Sequence, residues 1–348
     1  MTGPEAKHLL FTRRNIITEI WSNLPVWFFY LQGLILLLFT MALVQQHQFI
    51  EVGISRHIFA VTAFPVLIWS YAYFRQRLME SPSSLDKNRL SRLLWLGVFG
   101  IPLVIWLFFS IFPFFRLELR PSTLRYLFER MQIVWILLMV AHVWRCRGFQ
   151  FLVTFFVVGL FYGLALENSG IIMGYFFEPN YTWYLGRLPA PISTMMGWCL
   201  IFYCCITLTE YFRERSPRLQ NSPLWSGLFT TVLALSFDAQ LDPLASLPNM
   251  YWQWNELLPT WWLNVPFCNY AAWFGAFLSF SWVYFAFRDR ADLNWWQKNR
   301  QMFLYVPMIA ALAGFLWLVL MIIYEGGISG PTFQIINAYV EKLVPYPT

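Results

Sequence analysis

Charge is scarce in this chain of 348 residues: only 12% are charged, about half the share usual in a soluble globule. With 58% hydrophobic residues and a mean hydropathy of +0.51, that shortage excludes a soluble fold. Cysteine is sparse as well. Cys146, Cys199, Cys204, Cys205 and Cys268 form no CxxC pair, and three of them on one apolar stretch read as packing. The histidines His8, His47, His57 and His142 have no metal-ligand spacing, so no metal is expected. No phosphate-binding glycine loop, nucleophile elbow or repeat of 20 to 50 residues is present, and nothing in the sequence requires a cofactor. The formal charge of +6 follows from membrane topology, and no nucleic-acid partner is needed to account for it.

What the chain does have is long apolar runs. About nine segments are long enough to cross some 30 Å of hydrocarbon as helix. They lie near Pro25 to Gln45, His57 to Phe74, Arg92 to Phe112, Tyr126 to Trp144, Phe149 to Ile172, Pro191 to Phe212, Leu224 to Ala245, Pro266 to Phe287 and Met302 to Tyr324. The expected fold is an all-α, polytopic transmembrane helix bundle. The first run follows Lys7, Arg13 and Arg14 and is long enough to remain as an anchor, so no cleavable signal is expected. Most Lys and Arg fall in connections on the N-terminal side, including Arg75, Arg77, Arg145, Arg147, Arg213, Arg215, Arg288 and Arg290. The opposite side has Arg56, Arg116, Arg120, Arg125, Arg130, Arg187 and Lys342. Because cytoplasmic loops carry the cationic excess, the N-terminus is predicted inside and the C-terminus outside.

Two acids four residues apart interrupt the seventh run, Asp238 and Asp242 in Ser236-Phe237-Asp238-Ala239-Gln240-Leu241-Asp242-Pro243. An acid at the centre of a span costs roughly 2.5 to 3.5 kcal/mol, so an intramembrane pair marks a functional site by default. Spacing i, i+4 puts both on one helix face. Pro243 disfavours helix at Asp242, and a local cap at a helix break is the alternative reading of Asp242. A further acid, Glu167, ends the fifth run in Leu166-Glu167-Asn168-Ser169-Gly170. At 1.5 Å per residue, Asp238 lies roughly 21 Å and Glu167 roughly 27 Å from the inner boundary, so both fall in the outer third of the bilayer. The connections on that side are aromatic, with Tyr175, Tyr184, Trp252 and Trp254 among them. An interfacial belt accounts for single aromatics, but not for acids at the same depth. A poorly hydrated acid can hold a proton near neutrality, and aromatic faces stabilise a developing cation. Together they suit protonation of an apolar substrate at carbon.

Two blocks carry a family resemblance. The first is Leu166-Glu167-Asn168-Ser169-Gly170, then Gly174-Tyr175-Phe176-Phe177, Tyr184-Leu185-Gly186 and Leu188-Pro189-Ala190-Pro191-Ile192 leading to Trp198. The second is Leu241-Asp242-Pro243-Leu244-Ala245, then Tyr251-Trp252-Gln253-Trp254 and Asn264-Val265-Pro266-Phe267-Cys268-Asn269-Tyr270 leading to Trp273. Over roughly Phe149 to Phe287 the chain resembles the carotenoid biosynthesis membrane proteins that include the carotenoid 1,2-hydratases and bisanhydrobacterioruberin hydratase. It departs from their pattern at Ile172-Met173, where Pro-Phe is usual, and at Asn264 and Ala272, where glycine is usual.

The resemblance implies addition of water to the terminal double bond of an acyclic carotenoid. Glu167, Asp238 and Asp242 are then the expected catalytic acids and bases. Asn168, Tyr175, Tyr184, Trp252, Trp254, Asn269 and Trp273 are the expected substrate-binding residues. The partners expected are a carotenoid or other long apolar lipid, membrane lipids and further membrane subunits, in a bacterial or archaeal cytoplasmic membrane. Residues 1–148 form an N-terminal four-span region, 149–287 the family-like core, and 288–348 the last span and outer tail. The alternative functions are a non-catalytic lipid- or pigment-binding subunit of a larger complex and an ion-coupled transporter. The transporter usually shows paired inverted halves, and no internal symmetry is evident.

Overall fold

The computed structural model describes residues 87–100, 121–246 and 251–343, with isolated positions before Lys87 and Val104. The first expected span lies outside the described residues but for isolated positions before it, the second has only isolated described positions, and the third is described as helix α1 (Lys87–Trp95), the π-helical turn Leu96–Gly100 and Val104. The remaining helices are α2 (Pro121–Arg147), α3 (Phe149–Met173), α4 (Ile192–Arg213), α5 (Pro217–Asn221), α6 (Pro223–Ala245), α7 (Phe267–Arg288), α8 (Trp295–Glu325) and α9 (Pro331–Leu343). Among the described residues four helices, α3, α4, α7 and α8, are long and apolar enough to cross a membrane.

Helix boundaries follow local chemistry. Gly174 ends α3 in the left-handed conformation, φ 85°. Its N–H donates to Ile171 O, and that of Tyr175 donates to Gly170 O. This paired closure needs a residue without a Cβ penalty. The ninth expected run proves longer at its start: Asn294 caps α8 reciprocally with Gln297, so the helix begins at Trp295 and not at Met302. Pro243 does not break α6, which continues to Ala245. The proline only deprives the carbonyl of Ala239 of its usual donor, so the helix-break reading of Asp242 is set aside.

In lipid the hydrophobic effect does not draw helices together; close packing and internal hydrogen bonds do. Gly275 of α7 faces the backbone of α8, where a Cβ would lie 2.5 Å from Ala313 O. Aromatic rings fill the centre. Phe202 of α4 lies 4.3 Å from Phe277 and 4.2 Å from Phe280 of α7, and Tyr162 of α3 donates to Ala276 O at 3.1 Å.

The expectation of purely helical structure needs one amendment, for short strands organise the connections. Strand β1 (Phe176–Phe177) pairs antiparallel with β2 (Gln253–Trp254), so the α3–α4 and α6–α7 connections are joined. Asn255 reinforces the joint through Gly174 O and Tyr175 O, and Tyr181 packs on Tyr251 at 4.6 Å. Strands β3 (Thr260–Trp262) and β4 (Val265–Pro266) form a hairpin whose turn residues Leu263 and Asn264 have φ 48° and 66°. Positive φ at both turn positions suits the twist of a tight hairpin, and asparagine tolerates it better than most residues. Asn264 thus fills a place where the resembling family has glycine.

At the opposite end the cations converge. Buried Glu210 of α4 accepts from Arg147 of α2, from Arg288 Nε of α7 at 2.8 Å and from Tyr284 Oη at 2.9 Å. Arg213 pairs with Asp289 at 2.5 Å and lies over the ring of Phe285. Replacing Glu210 by Ala leaves two arginines facing each other around an empty carboxylate site. We expect a loss of about 3 kcal/mol, the low end for breaking a buried pair, because the guanidinium side chains remain 28% and 33% exposed. Thermal unfolding in detergent should show the loss, and Glu210→Gln should recover part of it.

Candidate functional site

The joined connections cover a cavity of about 380 Å³. Helices α3, α4, α6, α7 and α8 supply its sides, and Tyr175, Phe176, Tyr181, Trp252 and Trp254 close the end beneath the strands. Glu167 and Asp242 both reach it, from helices that are not adjacent in sequence. This volume lies within the range of small-molecule sites, and most of its walls are apolar.

Each acid has a fixed partner. Glu167 Oε2 accepts from the indole N–H of Trp198 at 2.7 Å, and that ring packs on Trp273 at 4.9 Å. The amide of Asn269 donates to Asp242 Oδ2 at 2.5 Å and to Asp238 Oδ2 at 3.0 Å. One side chain of α7 therefore holds both aspartates of α6, as the i, i+4 spacing allows. Asp238 is fully buried but does not line the cavity, and its Oδ1 has no hydrogen-bond partner. The hydroxyl of Tyr270, likewise buried without a partner, belongs to the same layer behind the wall.

Of the residues expected to bind substrate, Tyr175, Trp252, Trp254, Asn269 and Trp273 line the cavity. Asn168 and Tyr184 do not. The Asn168 side chain receives the N–H of Ala190 at 3.1 Å and donates to Leu164 O at 2.8 Å, which anchors the chain entering α4. Tyr184 is 37% exposed, and its hydroxyl donates to Glu178 O. Both sit in motifs that read as one block, yet helical and loop geometry turns them away.

Glu178, overlooked in the sequence, is only 4% exposed. Its Oε1 accepts from Thr194 Oγ1 at 3.2 Å, its Oε2 has no donor, and its carboxyl lies within hydrogen-bonding reach of Glu167. Burial first, then the charge of Glu167, holds the Glu178 carboxyl well above the usual range. The available signal was a lone acid within an aromatic connection, Phe176-Phe177-Glu178-Pro179. Glu129 was also missed as a loop anchor. Its carboxylate receives Thr182 N–H at 2.9 Å and Thr182 Oγ1 at 2.6 Å.

No group of three or more His, Cys, Asp or Glu side chains suited to a metal occurs among the described residues. The α8 wall is made of small residues, Ala310, Ala313 and Gly314, followed by Trp317. Nothing lies within 4 Å of where a Cβ on Gly314 would point. Ala272, where the family usually has glycine, puts one methyl on the α7 wall.

These features define an integral membrane protein with an acidic, aromatic-walled cavity between its helices. Residues 128–336 match the family model described as carotenoid biosynthesis protein, more than half of the chain, which belongs to that family. No curated protein and no solved structure shows significant similarity to it.

Replacing Gly314 by Leu should fill the cavity without a clash. The change removes a helix-interior glycine, favourable by up to about 1 kcal/mol, so the unfolding temperature should hold or rise. Apolar ligand bound per mole of purified protein should fall, which quantitative extraction would measure.

Proposed function

We propose that this protein adds water to the terminal isopropylidene double bond of an acyclic carotenoid by acid catalysis. Membership in the carotenoid biosynthesis family makes the ligand class a carotenoid-related one. The observation that carries the reaction type is that Asp242 and Glu167 meet in a single cavity walled by aromatic rings.

In this reading Asp242, in its protonated form, delivers its proton to the less substituted alkene carbon. The O–H bond breaks, the π pair forms the new C–H bond, and a tertiary cation remains on the neighbouring carbon. Trp252, Trp254, Trp273 and Tyr175 offer ring faces to that cation. Water adds a lone pair to the cation, Glu167 takes the proton from the water oxygen, and the product is a tertiary alcohol. Asn269 positions Asp242, while Asp238 acts from behind it through the same amide. Asp238 is thus proposed as a support for the acid. The donor from Trp198 holds Glu167 against rotation. A long chain extends from the cavity along α8, whose outer face is apolar and exposed at Phe315, Leu318 and Ile323. The reading places a multi-pass protein in a bacterial or archaeal cytoplasmic membrane, with residues 149–287 as the reacting core.

A second reading, a non-catalytic pigment- or lipid-binding subunit, uses the same cavity and is favoured by how few polar groups its walls carry. One experiment separates the two. Expressed in a lycopene-accumulating host, the wild type should yield hydroxylated carotenoid, and Asp242→Asn should lower that yield by about 100-fold or more, the scale of a positioned general acid. Undiminished product would sink the assignment, whereas bound but unmodified carotenoid on the wild type would favour the binding subunit.

A further inference from the structure

A carotenoid lying among lipid tails reaches a cavity inside the bundle only through an opening at hydrocarbon depth. Two sides of the cavity are closed. Strands β1 and β2, with the rings of Tyr175, Phe176, Tyr181, Trp252 and Trp254, cover one end, and Phe202 of α4 interlocks with Phe277 and Phe280 of α7. The seam between α3 and α8 is filled differently.

Two ring pairs bridge that seam. Nearer the cation-rich end Phe161 of α3 meets Phe303 of α8 edge-on at 5.4 Å, and at the covered end Tyr175 meets Trp317 at 5.6 Å. About 21 Å of helix rise separates Phe303 from Trp317. Within that interval α3 offers the cavity Ala165, Ser169 and Gly170, and α8 offers Ala310 and Gly314. Small residues let membrane helices approach until their surfaces touch, yet a Cβ on Gly314 would meet nothing within 4 Å.

Helical position shows where this space leads. Residues three and four apart are neighbours on a helix surface. Ala310 and Trp317, on one side of Gly314, line the cavity; Ala311 and Leu318, on the other, are exposed and do not line it. Ser169 is placed alike, with Ala165 and Met173 on the cavity side and exposed Ile172 away from it. Both rim residues are themselves exposed, so each stands where the cavity wall turns into the outer surface of the bundle. From Met302 to Tyr324 α8 carries no charged residue, and Gly314 is near the middle of that run, so the rim lies among lipid tails. The Ser169 hydroxyl donates back to Ala165 O at 2.5 Å, which leaves the rim without a free polar group.

We propose that the gap between α3 and α8, rimmed by Ser169 and Gly314, is a lateral portal through which the polyene chain of a carotenoid passes from the bilayer core into the cavity. A slender apolar chain loses no hydrogen bond on crossing such a rim, and the two ring pairs bound its height. The inference rests on the cavity being the carotenoid site, which both readings above share, and it is independent of whether water is added there.

Transit rates test it. Full-length protein in liposomes is mixed with donor vesicles containing an acyclic carotenoid, and loading, then release into empty vesicles, are followed by protein-bound absorbance. Ala311→Trp puts a ring at the mouth without filling the cavity. It should slow loading and release by the same factor, about 10-fold, within the span over which association rates vary among variants of one site. Phe303→Ala, which removes one ring of the frame, should speed both. Val157→Trp, on the exposed face of α3 away from the cavity, should leave both rates unchanged. If Ala311→Trp transits as fast as Val157→Trp, the chain enters elsewhere and the proposal falls. It falls too if Ala311→Trp loses bound carotenoid with release no slower, since that is damage to the site and not a barrier before it. A wild type that loads carotenoid but forms no hydroxylated product, with the three variants behaving as stated, would support the portal and sink only the hydration reading. A wild type that loads none would overturn the cavity as the carotenoid site, and the portal with it.

Discussion

Everything in this molecule is arranged around the difficulty of keeping carboxyl groups inside an apolar bundle. Taking an ionised carboxylate out of water costs several kcal/mol even after relaxation, so each one must be given a donor or share a proton. The structure does this economically. One amide, Asn269, serves both Asp238 and Asp242; one indole, Trp198, serves Glu167; and one hydroxyl, Thr194, serves Glu178. These donors come from α4 and α7, the two helices whose aromatic faces interlock through Phe202, Phe277 and Phe280. The polar layer and the packed layer meet on α7, which carries both the rings that pack on α4 and the amide that reaches two acids of α6.

The two ends of the bundle treat charge differently. At the cation-rich end Glu210 is paired with Arg147 and Arg288 and closed off by Tyr284, an arrangement that neutralises an acid and leaves it inert. At the cavity end the acids have neutral partners: amide, indole and hydroxyl groups. Neutral donors orient a carboxyl group without fixing it as an anion. That distinction separates a structural tie from a site able to exchange protons, and it explains why the cavity end is sealed by strands β1 and β2 and an aromatic cover, with no arginine or lysine among the residues that line the cavity.

Family membership and cavity chemistry meet at the departures from the family pattern. Asn264 stands where glycine is usual, and the hairpin keeps its positive φ there, so the backbone course survives the exchange. Ala272 adds a methyl to a cavity wall, while Gly197 and Gly314 have open space before them. Substitutions of this kind adjust the shape of a cavity and leave its acids in place. They give a physical reason for one scaffold to carry cavities of different shape.

Much of this was legible in the linear chain. Run length against bilayer thickness gave α3, α4, α6 and α7 to within one residue at each end, and set the starts of α2 and α8 five and seven residues late, because an apolar run sized to the bilayer is about 20 residues long whatever its neighbours are. The acids announced themselves through their cost in lipid, and the spacing of Asp238 and Asp242 correctly put them on one face. What the sequence could not say is which of them reaches the cavity, because that depends on helix rotation, and rotation is set by contacts such as Gly275 against Ala313 that join residues far apart in the chain. For the same reason Asn168, flanked in sequence by the cavity residues Glu167 and Ser169, is buried against the chain entering α4, Tyr184 holds the loop at Glu178, and Glu178, to which the sequence drew no attention, is buried beside Glu167. Composition and periodicity determine that apolar helices cross a membrane with acids inside them; only the packing of those helices decides which acids face one another, since that is a property of distances in space and not along the chain.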